Sequence, residues 1–100
     1  MRFGLKEEVV EEIVRVIGQE EKIEKAVIFG SRARGDWRKG SDIDIGIYAK
    51  GMDSKDFNLL RDELEQLDII YKIDVVDVYG LSKERLVDNI EEEGKAIYKS

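Results

Sequence analysis

Residues 30–46 read GSRARGDWRKGSDIDIG: a glycine-serine turn, a cluster of arginines and two aspartates two positions apart. A strand over residues 42–49 alternates its side chains. Asp42 and Asp44 then share one face, about 7 Å apart along the backbone, while Ile43, Ile45 and Ile47 take the other. Carboxylates at that spacing suit a hard divalent cation, above all Mg²⁺, which takes one or two carboxylates together with phosphate oxygens and water. The Gly30-Ser31 turn just upstream is suited to the phosphate contacts. The same alternation also describes a one-sided strand that turns its polar face to solvent, so the pair by itself leaves both readings open.

Working outward, Lys25 to Phe29 is a short apolar run that predicts a buried strand delivering Ser31 to a turn, with residues 31–41 as a polar loop. Leu5, Val9, Val10, Ile13, Val14 and Ile17 form one stripe, so residues 5–18 read as an amphipathic helix stopped by Gly18. Downstream, Asp53 or Ser54 can cap a helix over about residues 54–67 whose apolar face is Phe57, Leu60, Leu64 and Leu67. Residues 68–79 carry Ile69, Ile70, Ile73, Val75, Val76 and Val78, a β-branched density that predicts a strand. Asp74 interrupts it. A carboxylate inside so apolar a strand is costly to bury unless cations compensate it, which adds Asp74 to Asp42 and Asp44 as a third candidate metal ligand. Asp77 falls on the opposite face and is left out. Ser82 is the expected N-cap of a last helix, with Leu81 and Leu86 as a hydrophobic staple, ending near Glu93 at Gly94. Residues 95–99 are expected to add a short edge strand. The order α-β-β-α-β-α-β, with one β-β step lacking a helix, implies an α/β (α+β) fold with a small mixed sheet flanked by helices. Residues 1–100 are expected to form one domain.

Composition narrows the function. The chain has no cysteine and no histidine, which removes disulfides, thiol chemistry, the usual zinc sites and Ser-His triads. No apolar run is long enough to span a membrane and the amphipathic N-terminus does not read as a signal peptide, so the expected location is the cytoplasm. A net charge of −6 disfavours general nucleic-acid binding. Local charge differs: Arg32, Arg34, Arg38 and Lys39 stand against Asp36 alone, a local +3 that leaves −9 on the rest of the chain. A small anion can be held at one spot on an acidic protein. A Walker A loop is excluded, because Gly30 and Gly35 have its glycine spacing but Asp36-Trp37 follows where Lys-Ser/Thr is required. An EF-hand beginning at Asp42 fails as well, because Gly46 and Ile47 occupy its fifth and sixth positions. Loop cations are commonly just a solvated surface. Lying between the turn and the carboxylates, they are candidates to meet a triphosphate, Arg34 ahead of Arg38 and Lys39. Trp37 is expected to lie half-buried on its own domain.

Gly30-Ser31, Asp42-Ile43-Asp44 and a lone Asp74 on a later strand together resemble the signature of the DNA polymerase β-like nucleotidyltransferase superfamily. The wording GSRARG to SDIDI is similar to its minimal nucleotidyltransferase (MNT) branch. The resemblance is close over about residues 25–79. It implies that Gly30 and Ser31 hold the β and γ phosphates of ATP, that Asp42 and Asp44 bind two Mg²⁺ ions, and that Asp74 completes the second metal site and helps deprotonate the incoming hydroxyl. It further implies an antitoxin partnered with a HEPN-domain ribonuclease toxin, moving AMP from ATP to a tyrosine hydroxyl of that toxin. Two alternatives accompany this expectation. One is an antitoxin that neutralises by stoichiometric binding alone, using its acidic surface against a basic groove. The other is nucleotidyl transfer to a small molecule, for which a homodimer could supply the missing pocket.

Overall fold

The computed structural model describes residues 1–100, and its sheet is organised around the strand that carries the two aspartates. Strands β1 (Ile23–Phe29), β2 (Ile43–Ala49), β3 (Ile73–Asp77) and β4 (Lys95–Lys99) form one sheet in the order β3-β2-β1-β4. β1 is antiparallel to both β2 and β4, whereas β2 and β3 are parallel. The sheet is therefore mixed, as the β-β step predicts. Helices α1 (Glu7–Ile17), α2 (Ser31–Arg34), α3 (Ser54–Glu65) and α4 (Glu84–Glu93) complete the chain. No helix is long and apolar enough to cross a membrane.

Alternation in β2 divides the core in two. Ile43, Ile45 and Ile47 are fully buried and pack with Val10, Ile13 and Ile17 of α1 and Phe57, Leu60 and Leu64 of α3. On the other face Val27, Tyr48 and Val78 meet Ile90 of α4 in a smaller cluster, against which Leu81 and Leu86 also pack. Gly46 permits this approach. A Cβ there would lie 3.1 Å from Val78, 3.2 Å from Val27 and 3.3 Å from Ile90, so α4 seats directly on the bare backbone of the central strand. The helix covers only the half of that face around Gly46 and Tyr48. At the other end of that face Asp42 is exposed and Asp44 half-buried.

Local chemistry accounts for the helix ends. Asp53 caps α3 in a reciprocal capping box with Asp56, so of the two expected caps Asp53 is the one used. Glu7 and Glu8 in the first turn of α1 and Arg15 in its last complement the helix dipole.

Three expectations are corrected. The strand expected over 68–79 is formed only at Ile73–Asp77, because β2 offers partners from Ile43 onward and the chain before Lys72 has no neighbour to pair with. There Ile69 and Tyr71 pack against the larger core while Ile70 stays 90% exposed. The last helix is capped at Lys83 with no side-chain bond, so Ser82 does not serve as the N-cap, although Leu81 and Leu86 do share a cluster. Residues 31–41 are not all loop, since Ser31–Arg34 winds into a helical turn closed by Gly35 at φ 91°.

Gly46→Val inserts a branched side chain between three packed neighbours and is expected to destabilise the protein by about 1–3 kcal/mol, as overpacked cores do. Chemical denaturation checks this, with displacement of α4 visible as raised amide exchange over residues 84–93.

Candidate active site

The register of the sheet brings the aspartates together. Asp44 lies directly opposite Asp74 across the parallel β2/β3 pair and opposite Phe29 across the antiparallel β1/β2 pair. Asp42 immediately precedes β2 on the same face. Gly30 follows Phe29, and its backbone closes on the Asp44 carboxylate: a Cβ at Gly30 would come within 2.6 Å of Asp44 Oδ2. Gly30 also has φ 74° and ψ −153°, a conformation open essentially to glycine. Its carbonyl accepts from Ala33 and Arg34 at 3.1 and 3.0 Å, the first hydrogen bonds of α2. The N–H groups of Ser31 and Arg32 precede that ladder, as in any first helical turn. The turn and the carboxylates thus share one end of the sheet.

The electrostatics are those of crowded anions. Burial pushes the Asp44 carboxyl above its ordinary range, and the negative charges of Asp74 and Asp42 push it the same way against the opposing Arg34 and Arg32. Asp42, Asp44 and Asp74 form no ion pair and accept no side-chain hydrogen bond, whereas Asp36, Asp53, Asp56 and Asp77 are all engaged. The three side chains are not gathered to ligand spacing, and no group of three or more Asp, Glu, His or Cys is so gathered anywhere in the chain. Hard oxygen donors with uncommitted lone pairs in a negative potential nonetheless match what Mg²⁺ requires, and a cation would relieve the repulsion.

Asp74 is exposed rather than buried, which corrects the reasoning that singled it out. On an edge strand its face needs no desolvation, and its relevance comes from register with Asp44. Asp77 lies half-buried, where its carboxylate accepts from the Gly80 N–H.

The cations divide into distinct roles. Arg34 donates through Nε to Asp36 at 3.1 Å and through Nη1 to Glu93 of α4 at 2.9 Å, so a phosphate at this position competes with two carboxylates. Those partners also raise the pKa of Arg34. Arg38 and Lys39 are exposed. Arg32 is 2% exposed, the one buried charged residue. Sequence reasoning missed this. Arg32 and Arg34 sit in the same turn with similar neighbours, and the groups that receive Arg32 come from residues 3, 37, 41 and 71. Trp37 is 38% exposed and packs over Gly4 and the Arg32 guanidinium.

A mixed four-stranded sheet with a glycine-serine turn facing paired aspartates defines a nucleotidyl-transfer scaffold. Residues 11–100 match the polymerase β nucleotidyltransferase family, and the chain belongs to it. It is similar to a solved protein described as a minimal nucleotidyltransferase, at 26% identity and TM-score 0.74 over 95% of each chain. A toxin–antitoxin complex with AMP-PNP contains a chain of the same fold, at 24% identity and TM-score 0.75 over 91% of this chain and 73% of that one. So does a tri-AMPylated Shewanella oneidensis HEPN toxin in complex with an MNT antitoxin, at 21% identity and TM-score 0.71 over 96% of this chain and 74% of that one. No curated protein matches the chain.

A carboxyl whose folded-state pKa is raised binds more protons folded than unfolded, so its contribution to stability is present at low pH and lost as pH rises through the folded value. Asp44→Asn removes that repulsion. The variant is expected to melt higher than the parent at neutral pH in EDTA, with the difference vanishing near pH 4, where an ordinary aspartate protonates. Parallel thermal melts across pH read this out, and added Mg²⁺ is expected to narrow the gap by stabilising the parent alone.

Proposed function

We propose that residues 1–100 act as one minimal nucleotidyltransferase domain that transfers AMP from ATP to a tyrosine hydroxyl of a HEPN-type ribonuclease toxin, and that the chain is thereby that toxin's antitoxin in the cytoplasm. The observation that carries this reading is the openness of the carboxylate end of the sheet. None of the five principal cavities is lined by Gly30, Ser31, Asp42, Asp44 or Asp74. Asp42 and Asp74 are exposed and β3 is an edge strand. A surface of this kind admits a hydroxyl carried by a macromolecule. The fold shared with the AMP-PNP and tri-AMPylated complexes supports the same choice of donor and partner.

In this reading each residue has a task. Gly30 and Ser31 receive the phosphate tail of ATP, with backbone N–H groups and the hydroxyl as donors. Asp42 and Asp44 would hold Mg²⁺, and Asp74, in register with Asp44, would contribute to a second Mg²⁺ site. Bound there, Mg²⁺ would supply charge stabilisation for an in-line displacement. Asp74 receives the proton of the acceptor hydroxyl as its oxygen bonds to the α phosphorus. The bond from that phosphorus to the bridging oxygen breaks, and pyrophosphate leaves. Arg34 steadies the departing phosphates once they displace Asp36 or Glu93.

Intact mass of a HEPN toxin incubated with this protein, ATP and Mg²⁺ tests the proposal. Whole AMP units are expected on the toxin, with the rate reduced about 10²-fold or more in Asp44→Asn, the scale of losing one group that stabilises transition-state charge. No mass gain alongside a stable stoichiometric complex would overturn the catalytic reading and leave an antitoxin that works by binding.

A further inference from the structure

Arg32 joins four separate parts of the chain at one guanidinium. Its own backbone lies in α2, one residue past Ser31. Its Nε and Nη2 donate to the Ser41 carbonyl at 3.2 and 2.7 Å, and its Nη1 donates to the Phe3 carbonyl at 2.9 Å. The guanidinium carbon stands 4.5 Å from the Tyr71 ring centroid and 5.6 Å from that of Trp37. Ser41 immediately precedes Asp42, and Tyr71 lies three residues before Asp74. The segment between Ser31 and Asp42 is otherwise weakly held: residues 34–40 are exposed, and Gly35 and Gly40 adopt φ 91° and 86° with open space around them.

We propose that Arg32 is a positioning residue, fixing the distance and orientation between the Gly30-Ser31 turn and the Asp42–Asp44 pair by clamping the Ser41 carbonyl under Tyr71 and Trp37. This rests on the nucleotidyl-transfer reading above. The fork geometry is specific to arginine: two donors converge on one carbonyl while a third reaches a second carbonyl, and the guanidinium lies over the Tyr71 ring and near that of Trp37. Lysine offers one compact ammonium with no planar fork to span the two carbonyls and no flat face for the rings. A phosphate site and a metal site that slip relative to one another still bind their ligands separately. They lose the alignment on which in-line transfer depends, and a misplacement of about 1 Å can lower a rate about 10²-fold.

Trp37 is the only tryptophan, so its emission reports the clamp without any ligand. In Arg32→Lys, Trp37 emission is expected to shift to the red and to become more accessible to acrylamide. In the same variant kcat is expected to fall about 10²-fold, while calorimetric affinity for a non-hydrolysable ATP analogue with Mg²⁺ stays within about 5-fold of the parent. Tyr71→Leu removes the closer stacking face and leaves the hydrogen bonds. It is expected to move both readouts in the same direction by less, and it decides the matter if Arg32→Lys does not fold. A variant that merely melts lower, with Trp37 emission and kcat unchanged, would overturn the proposal. Should the parent neither bind the analogue nor transfer AMP, the nucleotidyl-transfer reading fails instead, and Trp37 quenching still tells whether Arg32 holds the loop.

Discussion

Asp42 through Ala49 must serve two environments from one strand, and the rest of the molecule is arranged around that requirement. Ile43, Ile45 and Ile47 are fully buried against α1 and α3, and their burial fixes the register of the strand. A slip by one residue would expose all three and drive the two aspartates into the core. Burial of a side chain of this size is worth about 1.5–3 kcal/mol, so three of them outweigh any preference of the polar residues. The orientation of Asp42 and Asp44 is therefore set by the isoleucines at positions 43, 45 and 47.

The face that bears the aspartates is divided along its length. Gly46 admits Ile90, so one half is sealed by α4, and the carboxylates keep the other half open. Covering both halves would demand desolvation of crowded anions. Covering neither would expose Val27, Tyr48 and Val78. The Arg34 to Glu93 ion pair lies where the two regimes meet and ties the helical turn after Gly30 to the end of α4. Because Arg34 is exposed and Glu93 only half-buried, that tie contributes orientation more than stability.

Two kinds of arginine bond coexist within one short turn. Arg34 faces water and is paired with two carboxylates. Arg32 is buried against backbone carbonyls and aromatic rings, an arrangement that satisfies its charge by hydrogen bonding and stacking without a counter-ion. The loop between Ser31 and Asp42 is held at its ends by Arg32 and in its middle by the packing of Trp37 over Gly4 and Arg32.

Periodicity and local chemistry in the sequence sufficed for the elements that bury a face: α1, α3, β1 and β2, the closing strand β4 and the mixed character of the sheet, with the cap of α3 narrowed to Asp53 or Ser54. Each depends on near neighbours in the chain, and the side-chain pattern records it directly. Sequence alone also placed Asp42 and Asp44 on one face of their strand. What it could not supply were properties set by partners distant in the chain. The strand containing Asp74 ends where β2 ceases to offer hydrogen bonds, which no count of β-branched residues can reveal. Asp74 stands beside Asp44 through parallel register and is exposed, so burial cost was the wrong reason to select it. Ser82 lost its expected role as a cap because the helix starts at Glu84, one residue later than a Ser82 cap requires, with Lys83 at the N-cap. The burial of Arg32 required residues 3, 41 and 71 to converge on it, and only the tertiary structure decided that, since a guanidinium becomes structural when distant carbonyls and rings surround it.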